Sequence, residues 1–403
     1  MMKPGLEVPA TKLFSRRTAA LLLGSCLAGP AKAFASNNPL TDEIVARSQL
    51  STGDLARLSN VFAKAYRGEP ITLGVIGGSI TVGAFATTQQ DSYSGRLLNW
   101  WRERFPHCDI RLINAGVGGT GSMYGALRAG KDLLSSQPDF IVVEFAVNDN
   151  WTDGEAFEGL LRQILAQPNL PAVLLLFMMW EKGGNDQEMQ GKVGAHYCVP
   201  MVSFRDALWP EIQAGHLRWS DYIADTVHPT DAGHAAAARF ITTMCENALN
   251  ASPTGKSTSV SPMPSPIYAD AFQHVAWRDA ANLDPIENDG WHRAFDQKNI
   301  PAWNSAKTAC RISFDWSGSG LVAVFSDPPY DLHSIQFCID GASLRTLGVL
   351  KQPKRQLFIL AQDLAPGRHT VELACTNSED TGTAAGQVRL LGIASIGVKT
   401  DRR

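Results

Sequence analysis

The sequence predicts an α/β protein built on a parallel sheet, followed by an all-β sandwich. Three observations predict it. Between residues 71 and 250, short apolar runs rich in β-branched residues alternate with longer stretches of helical periodicity. A Ser/Pro-rich stretch, residues 251–266, then breaks the pattern and has little capacity to pack. Beyond it, over residues 267–403, the helical period gives way to short strand-like runs punctuated by Gly, Pro and Asp.

The first 35 residues read as an address rather than as fold. Ser15-Arg16-Arg17-Thr18 precedes a short apolar run at 19–28, and small-residue cleavage sites follow at Ala31-Lys32-Ala33 and Ala33-Phe34-Ala35. The run is too short to span a bilayer. The paired arginines resemble a twin-arginine export signal, and Leu23-Gly24-Ser25-Cys26 resembles a lipoprotein cleavage site. The expected location is therefore periplasmic or secreted, with an alternative anchorage through Cys26. Without this segment's five basic residues and one acidic residue, the net charge moves from −3 to −7. A chain of that sign has no electrostatic reason to seek nucleic acid or an anionic membrane. Nothing in the sequence sets an oligomeric state.

Residues 36–250 form the predicted first domain. A leading helix or two is expected over 42–67. Strands are expected at 71–76, 110–114, 140–146, 172–178 and 199–204, each nearly continuous in apolar residues, as for strands covered on both faces. Helices are expected at 92–105, 122–135, 155–166, 187–197 and 231–250. In the second half, strands are expected at 311–316, 321–325, 334–339, 356–360, 369–374 and 388–393. The six cysteines outside the leader, at 108, 198, 245, 310, 338 and 375, include no Cys-x-x-Cys pair. Free buried thiols are expected, and no metal site.

Four segments carry chemistry, and their positions matter more than their letters. Gly77-Gly78-Ser79-Ile80-Thr81 follows the first strand, Asn114-Ala115-Gly116-Val117-Gly118-Gly119-Thr120 the second, and Ala146-Val147-Asn148-Asp149 the third. Asp225-Thr226-Val227-His228-Pro229 leads into the last helix. An open parallel sheet gathers such segments along its carboxyl edge, where these folds place their sites. The set suits acyl transfer. A serine hydroxyl needs a neighbouring imidazole to take its proton, and the imidazole needs a carboxylate to fix its tautomer. Glycine-rich backbone and an asparagine amide are donors for an oxyanion.

These segments resemble, in order, the four blocks of the SGNH (GDSL-type) hydrolase superfamily over residues 71–250. The resemblance implies a three-layer, flavodoxin-like α/β/α domain and a catalytic triad of Ser79, Asp225 and His228. It also implies an oxyanion hole made by the Ser79 and Gly119 N–H groups and the Asn148 side chain, with no cofactor and no metal. Two departures stand out: the usual Gly-Asp-Ser is Gly77-Gly78-Ser79, and the usual Gly-x-Asn-Asp is Ala146-Val147-Asn148-Asp149. Neither replaced residue is a catalytic group, so they bear on subfamily and substrate more than on mechanism. The implied activity is hydrolysis of small acyl esters, O-acetyl first, on a carbohydrate, through an acyl-Ser79 intermediate.

Competing readings exist for each segment. Ser79 alone suits a helix cap, and Asp225 alone an Asx turn. Gly116-Val117-Gly118-Gly119-Thr120-Gly121 matches a dinucleotide fingerprint, with Glu144 near the expected acid position. That oxidoreductase reading leaves Ser79, Asn148 and the Asp225/His228 pair without roles. A polysaccharide O-acyltransferase would use the same triad, and a decayed hydrolase that only binds glycan would need no triad at all. Trp151 and Trp180 are candidates for a sugar site, although core packing is the ordinary reading for tryptophan. His196, His216 and His234 show no partner pattern. The second half either holds a polymeric substrate or covers an apolar face of the first.

Overall fold

Thr41 opens the fold by capping helix α1 (Asp42–Ser48), its hydroxyl accepting from the Ile44 N–H at 3.3 Å. This computed structural model describes residues 40–149, 154–251, 259–295, 300–305, 310–326, 335–347, 356–375 and 388–397, with the backbone alone at 343–347. The export signal expected over residues 1–35, with Cys26, lies outside the described residues, as do Trp151 and residues 252–258 of the linker.

A short strand β1 (Gln49–Ser51) separates α1 from α2 (Ala56–Tyr66), so the leading segment is two helices with an edge strand between them. There follow β2 (Ile71–Gly77), α3 (Ser79–Val82), α4 (Tyr93–Arg104), β3 (Ile110–Gly116), α5 (Ser122–Asp132), β4 (Phe140–Glu144) and α6 (Glu155–Leu165). Then come β5 (Ala172–Phe177), α7 (Gln187–His196), β6 (Met201–Ser203), α8 (Phe204–Gln213), α9 (Trp219–Tyr222) and α10 (Asp231–Ala251). Helix α8 was not among the expected helices. Ser203 caps it, accepting from the Asp206 N–H at 3.0 Å, but Pro210 stands inside it, where a proline reads as a break.

The sheet order is β1-β6-β5-β4-β2-β3, parallel except for β1. Side chains alternate between two cores. Leu73 and Val75 of β2, Phe140 and Val142 of β4, and Leu174 and Leu176 of β5 face α2, α4 and α10. Ile76, Ile141, Val143, Val173 and Leu175 face α5, α6 and α7. Strands β2, β4, β5 and β6 are buried end to end. Strand β3 corrects the expectation of cover on both faces: it is an edge strand, and Arg111 and Asn114 are exposed.

The chain runs from β2 outward to β3, then crosses back over β2 to β4. This reversal puts the carboxyl ends of β3, β2 and β4 side by side, with Gly77 in register with both Gly116 and Glu144. It is the topological switch point at which open α/β sheets place their sites.

After the linker, eleven strands make two antiparallel sheets. They are β7 (Ala276–Asp279), β8 (Glu287–Asp289), β9 (Trp291–Phe295), β10 (Pro301–Ser305), β11 (Cys310–Gly318) and β12 (Gly320–Phe325), then β13 (Ile335–Ile339), β14 (Ala342–Leu347), β15 (Gln356–Ala361), β16 (Gly367–Cys375) and β17 (Arg389–Ile396). One sheet runs β15-β12-β17-β10-β9, with β7 also on β17, and the other β14-β13-β16-β11-β8. Leu321, Ala323 and Phe325 of β12 meet Phe314, Phe337 and Leu373 inside the sandwich. Val322 and Val324, on the opposite face of the same strand, join the core of α5 and α6 with Ala126, Leu160 and Ala394.

Thus one sheet of the sandwich covers an apolar face of the α/β domain, and residues Leu40–Arg403 form one unit. Glu158 of α6 fastens the segment that leads into the sandwich. Fully buried, it accepts from the Tyr197 hydroxyl at 2.6 Å and from the Ile267 and Tyr268 N–H groups at 2.6 and 2.8 Å. No disulfide joins the six described cysteines; Cys245, Cys310 and Cys375 are buried as expected, whereas Cys198 is exposed. Among the described residues no helix is long and apolar enough to cross a membrane.

Candidate active site

Ser79 is the first residue of α3, two residues past the end of β2, and its hydroxyl lies 2.8 Å from His228 Nε2. His228 sits in the loop between α9 and α10. The pairing of Ile223 with Pro229 and an Ala224 N–H to His228 carbonyl bond of 2.7 Å close that loop into a tight turn. Glu181, beyond β5, donates its N–H to the Thr226 carbonyl at 2.7 Å and ties the turn to the sheet edge. Asp225 acts twice within it. Its Oδ1 accepts from the Val227 and His228 N–H groups at 2.8 and 2.7 Å, while Oδ2 meets His228 Nδ1 at 2.7 Å. Asp225 thus closes an Asx turn with one oxygen and meets the His228 ring with the other.

A carboxylate only accepts, so Nδ1 carries the imidazole proton and Nε2 faces the Ser79 hydroxyl as an acceptor. Burial alone would raise the Asp225 pKa, but the His228 and Val227 N–H groups and the imidazole outweigh it and pull the carboxyl down to about 2. The charged form that orients His228 is thereby favoured.

The loop after β3 arches over the same serine. The Val117 N–H donates to the Gly77 carbonyl at 3.0 Å, and the Thr120 hydroxyl turns back to the Val117 carbonyl at 2.7 Å. A β-carbon on Gly118 would lie 3.7 Å from Ser79 Cβ. Gly119 has φ +70°, a conformation that costs glycine little, and faces open space. Neither the Ser79 nor the Gly119 N–H is hydrogen-bonded to another described residue. Asn148 follows β4, turned in by its own N–H to the Phe145 carbonyl at 2.8 Å. Its amide approaches the backbone before Ser79 so closely that a β-carbon at position 78 would lie 2.4 Å from Asn148 Oδ1. The five residues named from the sequence are thus gathered at one sheet edge.

Beneath them lie buried acids to which the hydrolase reading assigned no role. Asp149, buried, accepts from the Ser122 N–H at 2.7 Å and from Gln190 Nε2 at 2.8 Å, tying the Asn148 segment to the start of α5. Burial pushes its pKa up to about 6 against these bonds, and the neighbouring charge of Asp186 adds to the rise. Glu144, fully buried at the end of β4, accepts from the Thr81 hydroxyl at 3.0 Å, and Thr81 in turn pairs with the Tyr93 hydroxyl at 2.8 Å. Burial raises the Glu144 pKa to about 8, although the Thr81 hydroxyl favours the charged form. This acid supports the turn around Ser79 and is not available to a ribose. His196 pairs with the Ser265 carbonyl and His216 with Glu211, both at 2.8 Å. Among the described residues no group of three or more His, Cys, Asp or Glu is arranged to hold a metal ion.

A hydroxyl, imidazole and carboxylate in series at the carboxyl edge of a three-layer sheet are the arrangement of an SGNH-type esterase. Residues 75–236 match the GDSL-like Lipase/Acylhydrolase family. The chain carries an SGNH hydrolase domain of this family and is an esterase, which displaces the oxidoreductase reading.

Among solved structures it is similar to a two-domain esterase (CEX) active on acetylated mannans, with 27% identity and a TM-score of 0.79 over 88% of this chain and 99% of that one. The same esterase co-crystallised with mannopentaose gives 27% identity and a TM-score of 0.78, over 89% and 99%. No match was found among curated protein sequences.

Proposed function

We propose that the protein is an exported carbohydrate esterase that removes small acyl groups, O-acetyl first, from sugar hydroxyls through an acyl-Ser79 intermediate. The observation that carries the mechanism is the unbroken series from Ser79 Oγ to His228 Nε2 and from His228 Nδ1 to Asp225, at 2.8 and 2.7 Å. Ser79 Oγ attacks the ester carbonyl as its proton passes to Nε2. Asp225 stabilises the imidazolium, and the Ser79 and Gly119 N–H groups with the Asn148 amide hold the oxyanion. His228 then gives that proton to the departing alcohol oxygen. A water molecule, activated by His228 in turn, releases the acid and restores Ser79.

Support for a carbohydrate alcohol comes from likeness over nearly the whole chain, sandwich included, to an esterase active on acetylated mannans. Export rests on the leader read in residues 1–35.

The test is an acyl-ester panel that includes acetylated glycans, run with and without unacetylated glycan as acceptor. Free acetate should appear from acetylated glycan, a serine-directed phosphonate should modify Ser79, and Ser79→Ala should fold normally and release nothing. Acetyl groups moved onto the acceptor would make the protein an acyltransferase. Undiminished cleavage by Ser79→Ala would end the triad assignment.

A further inference from the structure

Residues 83–91 leave α3 and pass beside the triad. Phe85 sits there at φ +64°, in the left-handed region that crowds a β-carbon. No core burial compensates for it, since Phe85 remains 60% exposed. The residues around it are fastened instead. His234, fully buried in α10, accepts from the Tyr93 N–H at Nδ1 at 3.2 Å, which leaves Nε2 to donate to the Ala84 carbonyl at 3.0 Å. Asp231, in the first turn of α10, accepts both the Thr87 N–H at 2.8 Å and the Thr87 hydroxyl at 2.6 Å. The Ala84 N–H donates to the Ser79 carbonyl at 3.1 Å. Chain on both sides of Phe85 is thus tied to α3, which begins with Ser79, and to α10, which follows the His228 loop.

The outcome is a ring stacked on the His228 imidazole, with centroids 5.4 Å apart and planes inclined by 22°. An exposed aromatic in a strained conformation, held by hydrogen bonds on both sides, is the pattern of a residue kept for use at a site.

We propose that Phe85 is the platform for the sugar ring bearing the scissile ester. The inference rests on reading His228 as the acid that protonates the leaving alcohol. That alcohol oxygen must lie at His228 Nε2, so the rest of the alcohol lies beside the imidazole, where Phe85 supplies the apolar surface. A pyranose presents a face of C–H bonds, weakly positive, that fits the negative face of an aromatic ring while its hydroxyls stay in water. Fixing the ring before the substrate arrives lowers the ordering cost of binding. His234 and Asp231 are then positioning residues for the platform.

The test compares a mono-acetylated methyl hexopyranoside with ethyl acetate in the wild type and in Phe85→Ala, Phe85→Leu and Phe85→Tyr. In the alanine and leucine variants, kcat/KM on the sugar acetate should fall about tenfold further than on ethyl acetate, mostly through KM, the size of one aromatic contact. Phe85→Tyr should restore the preference. Leucine keeps the bulk if alanine unsettles the loop. Equal losses on both esters would overturn the platform and leave Phe85 a support for His228. Undiminished kcat/KM of the alanine and leucine variants on the sugar acetate, with the wild type active on it, would overturn the platform alone. A wild type that cleaves ethyl acetate but no sugar acetate would overturn the platform and the carbohydrate reading together.

Discussion

A β-carbon at position 78 would stand 2.4 Å from Asn148 Oδ1, closer than real β-carbons approach any heavy atom. With the asparagine of another block standing where it does here, a side chain at 78 must displace it, and the glycine that departs from the family's usual Gly-Asp-Ser avoids that. Gly78→Asp should push the Asn148 amide away from Ser79 and lower kcat by about 10²-fold, with the fold retained. Steady-state kinetics with a thermal melt checks it. Wild-type kcat in a folded variant would mean that the backbone at 78 yields and that the glycine is incidental.

Asn148 itself gives a sharper reading. With Asn148→Ala, kcat should drop by about two orders of magnitude and KM much less, because an oxyanion donor acts mainly in the transition state. A rise in KM at constant kcat would make Asn148 a ground-state binding residue instead.

The buried acids beneath the site give stability a pH dependence of known sign. Glu144 is raised from 4.5 to about 8 and Asp149 from 3.8 to about 6, in both cases chiefly by burial. Between each pair of values the folded chain holds a proton that the unfolded chain has released, so stability falls as pH rises through that window. Asp225, pulled down from 3.8 to about 2, acts oppositely: its contribution is present above 3.8 and is lost as pH falls toward 2. The wild type should therefore melt lower at pH 8 than at pH 5, and Glu144→Gln should narrow the gap. An identical gap in the variant would remove Glu144 as its source.

The sandwich shares a core with the α/β domain through Val322, Val324, Leu391 and Ala394 against Ala126 and Leu160. Truncation after Ala251 should expose that face, at about 1.5–3 kcal/mol for each large side chain uncovered, and yield insoluble or inactive protein even toward small esters. Glu158→Ala should lower Tm of the full chain, since the Ile267 and Tyr268 N–H groups lose their buried acceptor. A soluble truncated protein with full activity on a small ester would show that the covering sheet is dispensable.

How much of this was legible depends on whether the signal is local in the chain. Continuous apolar runs announce strands buried on both faces, so the parallel core, β2, β4, β5 and β6, could be read directly. The run Leu321-Val322-Ala323-Val324-Phe325 carried the same signal in the second half, where it means that the sandwich has a neighbour on its outer face. Strand-end position places Ser79, Gly119 and Asn148 along one sheet edge, and Asp225 and His228 come to it from the loop that leads into the last helix.

Other features are not written locally. Helix α8 hides behind Pro210, and β1 is three residues long. Partners such as Glu144 and Thr81, Gly78 and Asn148, or His228 and Phe85 lie 63, 70 and 143 positions apart. Residue type and spacing place segments along a sheet edge through backbone geometry alone. Which side chains then touch depends on how rigid layers pack to within an ångström, a property of the whole folded chain and not of any stretch of it.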